Sequence, residues 1–343
     1  MTGHIFWGDG SLFLLDQRLL PFKKVYVKCK TIGDVAEAIR KMIIRGAPLI
    51  GIAAAYGIVL GIRERLRTKG TVTERHMDRL SSILINTRPT AVNLAWALKR
   101  MHRAYQDYKD KDSASFEEFM LQEAISIHVE DIENNRMLSL FGAELIEDGD
   151  TILTHCNAGA LAMGGYGTAL GVIRAVHESG KKIKVIATET RPYLQGARLT
   201  AWELYQEGID VEIVPDNHVG ILCFKDVIDK IIVGADRIAL NGDTANKVGT
   251  YMLALCAKRH SIPFFVAAPL STFDREIKDG SYIKIEERPG REVKTIMGVA
   301  ITLKDIKARY ISFDITPHRY ITNIITEKGI IKRPFKRYIP QLF

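Results

Sequence analysis

Cysteine is scarce in this 343-residue chain, and its four copies, Cys29, Cys156, Cys223 and Cys256, are scattered with no C-x-x-C pair. That spacing excludes a thiolate zinc cluster and a dithiol redox motif, and a disulfide framework is not expected in a chain of this size. The nine histidines include no H-E-x-x-H spacing, so no metal is expected. No uninterrupted apolar stretch reaches the roughly 18 residues that span a bilayer. Met1-Thr2-Gly3-His4 lacks the basic-then-apolar profile of a signal peptide, so the cytoplasm is the expected compartment and no membrane the expected partner. A dinucleotide fingerprint is missing as well. The glycines run Gly159, Gly164, Gly165, Gly167 and Gly171, which is not G-x-G-x-x-G, and no cofactor is expected.

Hydrophobic residues make up 47% and charged residues 26% of the chain, a composition that supports a large core. The length suits two domains, placed at 1–145 and 146–343. The formal net charge of +8 is spread along the chain and interleaved with acids. Its one dense cluster, Lys332-Arg333-Pro334-Phe335-Lys336-Arg337, reads as a solvated tail. Nucleic acid is therefore not an expected partner, whereas a phosphorylated metabolite suits a general positive field.

The second half carries the main signal. Ile152-Leu153-Thr154-His155-Cys156, Lys184-Val185-Ile186-Ala187-Thr188-Glu189, Val211-Glu212-Ile213-Val214-Pro215-Asp216 and Ile231-Ile232-Val233-Gly234-Ala235-Asp236 are apolar runs that each end in a polar or reactive residue. Pro263–Pro269 is a fifth candidate strand and Tyr310–Asp314 a last one. Continuous β-branched runs separated by helical patterns predict a parallel sheet covered on both faces. Ligands of such sheets bind beyond the carboxyl ends of the strands, which would gather Cys156, Glu189, Asp216 and Asp236. The predicted class is α/β: a Rossmann-like parallel-sheet domain preceded by a smaller, mixed and mainly helical domain. In that first part, short strands are expected at 5–7, 12–15 and 25–27. Helices follow after Thr31, where Asp34 completes a capping box, and over 49–67, 72–84, 90–107 and 115–146.

Several segments carry candidate chemistry. Arg45-Gly46-Ala47-Pro48 places an arginine and small residues before a proline-started helix, whose free N–H groups suit an anion; tight helix packing by Gly and Ala is the alternative. Arg88-Pro89-Thr90 repeats the pattern. Cys156, at a strand end before a helix, is a candidate thiolate or acid or else a buried small hydrophobe. Gln195 and Arg191 follow the second strand and could hold sugar hydroxyls or phosphate. Asp236 ends a buried strand, as a general acid would, or pairs with Arg237. Asn246-Lys247 offers an amide and a cation. The loop from Ala239 to Thr244 has little apolar content, which favours a functional role.

Together, Arg45-Gly46-Ala47-Pro48, Thr87-Arg88-Pro89-Thr90-Ala91-Val92-Asn93-Leu94, His155-Cys156-Asn157-Ala158-Gly159, Glu189-Thr190-Arg191-Pro192, Gln195–Thr200, Gly234-Ala235-Asp236-Arg237-Ile238, Asn241-Gly242-Asp243, Ala245-Asn246-Lys247 and Phe313–Pro317 resemble the methylthioribose-1-phosphate isomerase family of methionine salvage, over nearly the whole chain. The resemblance implies an active site between two domains, a homodimer, Cys156 and Asp236 as the catalytic pair, and Arg45, Gly46, Ala47, Arg88, Gln195, Asn246 and Lys247 as substrate ligands. The wider superfamily also holds ribose-1,5-bisphosphate isomerase and the regulatory subunits of a translation-initiation exchange factor. The presence of both Cys156 and Asp236 speaks against a purely regulatory role. Two departures stand out. His218-Val219-Gly220 replaces small or apolar residues, with consequences expected at the sugar's 5-position, where 5-deoxyribose 1-phosphate is an alternative substrate. Tyr310-Ile311-Ser312 replaces an expected Asn-Pro.

Overall fold

A computed structural model describes residues 3–68, 70–108, 114–285 and 287–343. It is a mixed α/β structure with parallel and antiparallel sheets. Packing divides the chain into two compact units, Met1–Glu133 with Leu161–Gly165, and Asn134–Ala160 with Tyr166–Phe343.

The first unit opens with an antiparallel sheet of β1 (Ile5–Gly8), β2 (Ser11–Leu15) and β3 (Tyr26–Cys29). Asp9 and Gly10, at φ 47° and 66°, make the two-residue turn that suits a twisted hairpin. Helix α1 (Ile32–Arg40) starts on the expected capping box: Thr31 Oγ1 accepts from Asp34 N at 3.1 Å, and Asp34 Oδ2 accepts from Thr31 N at 2.9 Å. The remaining helices are α2 (Ala47–Arg67), α3 (Glu74–Ile85), α4 (Val92–Asp107) and α5 (Ala114–Ala143), the last running on into the second unit. Among the described helices, α2 alone is long and apolar enough to cross a membrane. Its residues Ala47 to Ile62 are all buried, and its core packing accounts for its composition. A Cβ at Gly51 would come within 2.7 Å of the Asn93 carbonyl of α4, and one at Gly61 within 3.0 Å of Leu80 Cδ1 of α3. These glycines serve close helix packing.

The second unit is built on a seven-stranded sheet. Its strands include β4 (Thr151–Thr154), β5 (Lys184–Thr188), β6 (Val211–Val214), β7 (Lys230–Val233) and β10 (Phe264–Ala267). The order across the sheet is β6-β5-β4-β7-β10, then Asn323–Thr326 and Gly329–Lys332. All neighbours are parallel except the last pair. The first six strands thus follow the doubly wound order 3-2-1-4-5-6, which reverses between β4 and β7. Alternate residues explain the continuous apolar runs. Leu153, Ile186, Ile231, Val233, Phe264, Val266 and Ile324 face one core with Val219 and Cys223 of α8 (Val219–Phe224) and Leu253, Ala254 and Ala257 of α9 (Thr250–Arg259). Ile152, Val185, Ile232, Phe265, Ala267 and Ile325 face another, under α6 (Ala169–Glu178) and Leu204 of α7 (Ala201–Gln206). Each such side chain contributes about 1.5–3 kcal/mol on burial.

Two expectations need correction. The segment Tyr310–Asp314 is not a strand of the parallel sheet. Phe313–Thr316 instead pairs antiparallel with β9 (Thr244–Lys247), which also pairs with β8 (Arg237–Ala239). The basic C-terminal cluster is solvated, its lysines and arginines all exposed, but it is not a loose tail. Lys332 closes a strand, Arg333 donates from Nε to the Ile321 carbonyl at 2.7 Å, and Phe335 is fully buried. The apolar pairs of those last two strands are too short to stand out against that charge.

Candidate functional site

All of the following residues belong to the second unit. Strand β4 ends at Thr154, which leaves His155 and Cys156 in the loop beyond its carboxyl end, at the reversal of strand order. Cys156 sits at φ 65°, a left-handed conformation that costs a non-glycine residue about 1–2 kcal/mol. Two threonines hold it there. Thr190 Oγ1 accepts from Cys156 N at 2.9 Å, and Thr200 Oγ1 donates to the Cys156 carbonyl at 2.6 Å. Thr190 is itself left-handed, at φ 62°, with its N–H and that of Arg191 both given to the Asp216 carboxylate at 2.7 Å. Thr200 closes a π-helical turn, Gly196–Thr200, a distortion frequent at functional sites.

Behind the thiol lies a buried polar layer. Glu203, fully buried, accepts from Asn157 Nδ2, Ala160 N and Arg174, each at 2.8 Å. His155 is buried, with Nδ1 2.6 Å from Thr188 Oγ1 and Nε2 2.9 Å from the Val248 carbonyl. A carbonyl only accepts, so Nε2 carries the proton and Nδ1 accepts from the threonine. Burial also pushes the imidazole pKa down, and the ring is neutral.

Close approaches bring the next loops to this one. A Cβ on Gly234, just after β7, would lie 2.6 Å from Ala158 Cβ, and one on Gly249 would lie 2.9 Å from the His155 ring. Two residues beyond Gly234 comes Asp236, half-buried, its N–H donated to the Ala245 carbonyl at 2.9 Å. Arg237 meets Asp274 at 3.5 Å. Asn246 and Lys247 end β9, both buried. Asn246 Nδ2 donates to Thr250 Oγ1 at 3.1 Å, and Lys247 Nζ to the Ser312 carbonyl at 2.9 Å and Tyr310 Oη at 3.2 Å. Asp314 accepts from Gly249 N and Tyr251 N at the start of α9; burial nevertheless raises its carboxyl to about 6. Gln195 is buried and its Oε1 has no hydrogen-bond partner, a deficit of about 1–3 kcal/mol.

Not every candidate joins this group. Asp216 is occupied by backbone amides. Glu189, half-buried, has its pKa raised by burial and by Asp216. His218 is exposed beyond β6, the edge strand. Arg191 donates to the Pro192 and Val293 carbonyls. Asn241-Gly242-Asp243 is a structural knot: Asp243 accepts from Asn241 Nδ2, Gly280 N, His318 N and His318 Nδ1. Thr190, Thr200, Glu203 and Tyr310 were missed by sequence reasoning, because their partners are distant in the chain and no local pattern marks them.

Arg45, Gly46, Ala47 and Arg88 belong to the first unit. Arg45 is buried, and Gly46, at φ 107°, caps α2 with Pro48 in the first turn. A Cβ on Gly46 would lie 2.6 Å from Ala162 Cα, so glycine is required there on two counts. Ala47 opens the helix, and Ile50 N donates to the Gly46 carbonyl at 3.1 Å. Arg88 is half-buried in a turn with NH1 3.7 Å from Met42 Sδ. Helix α4 begins only at Val92, so Pro89 stands in the preceding turn rather than at the helix start; the Ala91 N–H, given to the Arg88 carbonyl at 3.1 Å, closes that turn. Elsewhere in this unit Glu74, Asp78 and His102 have ligand atoms within 4.8 Å of one another. His102 Nε2 is 2.6 Å from Glu74 Oε1, an interhelical contact that accounts for the grouping.

The profile of the Initiation factor 2 subunit family matches residues 43–333. The chain belongs to this family. It is 54% identical over 336 residues to methylthioribose-1-phosphate isomerase of Thermotoga neapolitana, covering 98% of this chain and 96% of that protein. Among solved structures, the 5-methylthioribose 1-phosphate isomerase of Pyrococcus horikoshii aligns with a TM-score of 0.90 at 43% identity, over 100% of this chain and 96% of the other. The family is functionally divided. A translation initiation factor eIF-2B delta subunit from A. fulgidus aligns with a TM-score of 0.86, also at 43% identity, over 100% and 99% of the two chains.

Proposed function

We propose that this family member is a methylthioribose-1-phosphate isomerase, converting 5-methylthioribose 1-phosphate to 5-methylthioribulose 1-phosphate. One observation carries the reading: a strained, doubly anchored Cys156 follows β4 at the switch point, and the Asp236 turn follows the adjacent strand β7.

The anomeric carbon of the substrate carries phosphate, so the ring cannot open as a free hemiacetal does. Protonated Asp236 gives its proton to the ring oxygen, and the C–O bond breaks to leave an oxygen-stabilised cation at C1. Hydrogen then moves from C2 to C1, the C2 hydroxyl gives its proton to the Asp236 carboxylate and becomes the ketone, and phosphate stays on C1. No oxidant or reductant is consumed. Cys156 acts as the base if hydrogen moves as a proton, or stabilises the transition state if it moves as hydride. Lys247 offers a cation for the phosphate, and the family's Arg-Gly-Ala-Pro and Arg-Pro-Thr words offer Arg45 and Arg88 for the same role. Gly46 and Ala47 offer backbone N–H groups at the start of α2. Gln195, whose unpartnered Oε1 awaits a donor, accepts from a sugar hydroxyl, and Asn246 orients the substrate. Both proposed reacting groups, Cys156 and Asp236, lie within residues 146–343.

Phosphorus NMR of the purified protein tests this against 5-methylthioribose 1-phosphate, 5-deoxyribose 1-phosphate and ribose 1,5-bisphosphate. The reading predicts a ketose phosphate from the first, and turnover of the second if the pocket tolerates loss of the methylthio group. Turnover of the bisphosphate alone, or of none, would overturn it; inertness with retained sugar-phosphate binding would favour a non-catalytic, ligand-sensing role. Solvent deuterium at C1 marks the proton route, and its absence the hydride route.

A further inference from the structure

We propose that Tyr310 is a positioning residue of this site, its hydroxyl fixing the Lys247 ammonium for the substrate phosphate. The inference rests on the reading of Lys247 as a phosphate ligand. Lys247 is only 6% exposed, and a buried ammonium must be met by acceptors or forfeit its charge. Two neutral acceptors hold it beside the strand, Tyr310 Oη at 3.2 Å and the Ser312 carbonyl at 2.9 Å. The Phe313 ring adds a face 4.4 Å from Nζ. A neutral hydroxyl orients a cation without cancelling any of its charge.

Tyr310 is suited to the task. It is 4% exposed, on a short strand paired with Glu287–Arg288. Burial, Glu292 and Cys156 together raise its phenol pKa, so it stays neutral. It lies in the stretch where the chain departs from the pattern of the resembled family.

Calorimetric titration of inorganic phosphate into wild type, Tyr310→Phe, Lys247→Met and the double variant tests this. Phenylalanine keeps the ring and its packing, and melting curves check the fold. A hydrogen bond to a charged group predicts phosphate binding about tenfold weaker in Tyr310→Phe, with no further loss when Lys247 is already Met. With 5-methylthioribose 1-phosphate the same variant raises KM about tenfold and leaves kcat within about threefold. Phosphate binding within twofold of wild type in Tyr310→Phe would overturn the proposal. So would an undiminished Tyr310 effect in the Lys247→Met background, or no phosphate uptake by wild type. The titration needs no turnover, so an inert wild type that still shows the coupling would indict the isomerase reading alone.

Discussion

Cys156 differs in setting from the other three thiols. Burial pushes Cys29 up to about 12 and Cys223 to about 11, and also raises Cys256. Thiolate is therefore suppressed at all three positions; Cys29 and Cys223 are also buried, while Cys256 shares the half-buried class of Cys156 but lies within α9 rather than at a strand end. Iodoacetamide at pH 8 is expected to alkylate Cys156 first, with activity falling in step, as peptide mass spectrometry against residual turnover would show. First modification at Cys256 would contradict this. At this scale the sequence reveals residues that stand next to a recognisable boundary. Cys156, Asp236 and Lys247 close or follow apolar runs, and Gln195 opens a helical turn. Glu203, Thr190 and Thr200 act through partners tens of residues away, so nothing beside them in the chain marks their part.

Loop ends in this sheet are set by glycine contacts. Gly234 lies against Ala158, and a Cβ there would approach to 2.6 Å. Gly234→Ala is expected to cost about 1–3 kcal/mol by overpacking and to push the Asp236 turn from the Cys156 loop. A displacement near 1 Å lowers turnover about a hundredfold. Wild-type kcat in a folded Gly234→Ala protein would contradict that link. At the start of α9, Asp314 is raised to about 6 from an ordinary 3.8. The native state then holds a proton that the unfolded chain has released, so the stability present below about pH 4 is lost as pH rises through 6. Asp314→Asn does not ionise there. Its melting temperature should therefore gain on wild type between pH 4 and 7, by the equivalent of about 2–3 kcal/mol; a pH-independent difference would refute this. Strands β4, β5, β7 and β10 were legible because two buried faces demand unbroken apolar runs, whereas the edge strand β6 carries the exposed Glu212 within its run. The strands Asn323–Thr326 and Gly329–Lys332 were not, since their apolar pairs adjoin dense positive charge.

Across the whole molecule, the strand order 3-2-1-4-5-6 turns separate sequence words into neighbours: Cys156 after the first strand, Asp236 after the fourth. Alternation of strands and helices announced the class. The order itself depended on pairings that no local pattern encodes. We propose that the chain works as a homodimer, a reading supported by the exposure of Ile213 on edge strand β6 and of Ile221 and Phe224 on α8. Sedimentation equilibrium should return twice the chain mass, and a single-chain mass at micromolar concentration would exclude the dimer. The central claim is that one thiol and one carboxyl act on the same sugar ring. Its most direct test is phosphorus NMR of 5-methylthioribose 1-phosphate turnover by wild type, Cys156→Ser and Asp236→Asn, all with matched melting temperatures. The account predicts ketose phosphate from wild type and a loss of at least about a thousandfold in each variant; near-wild-type turnover in either one would contradict it.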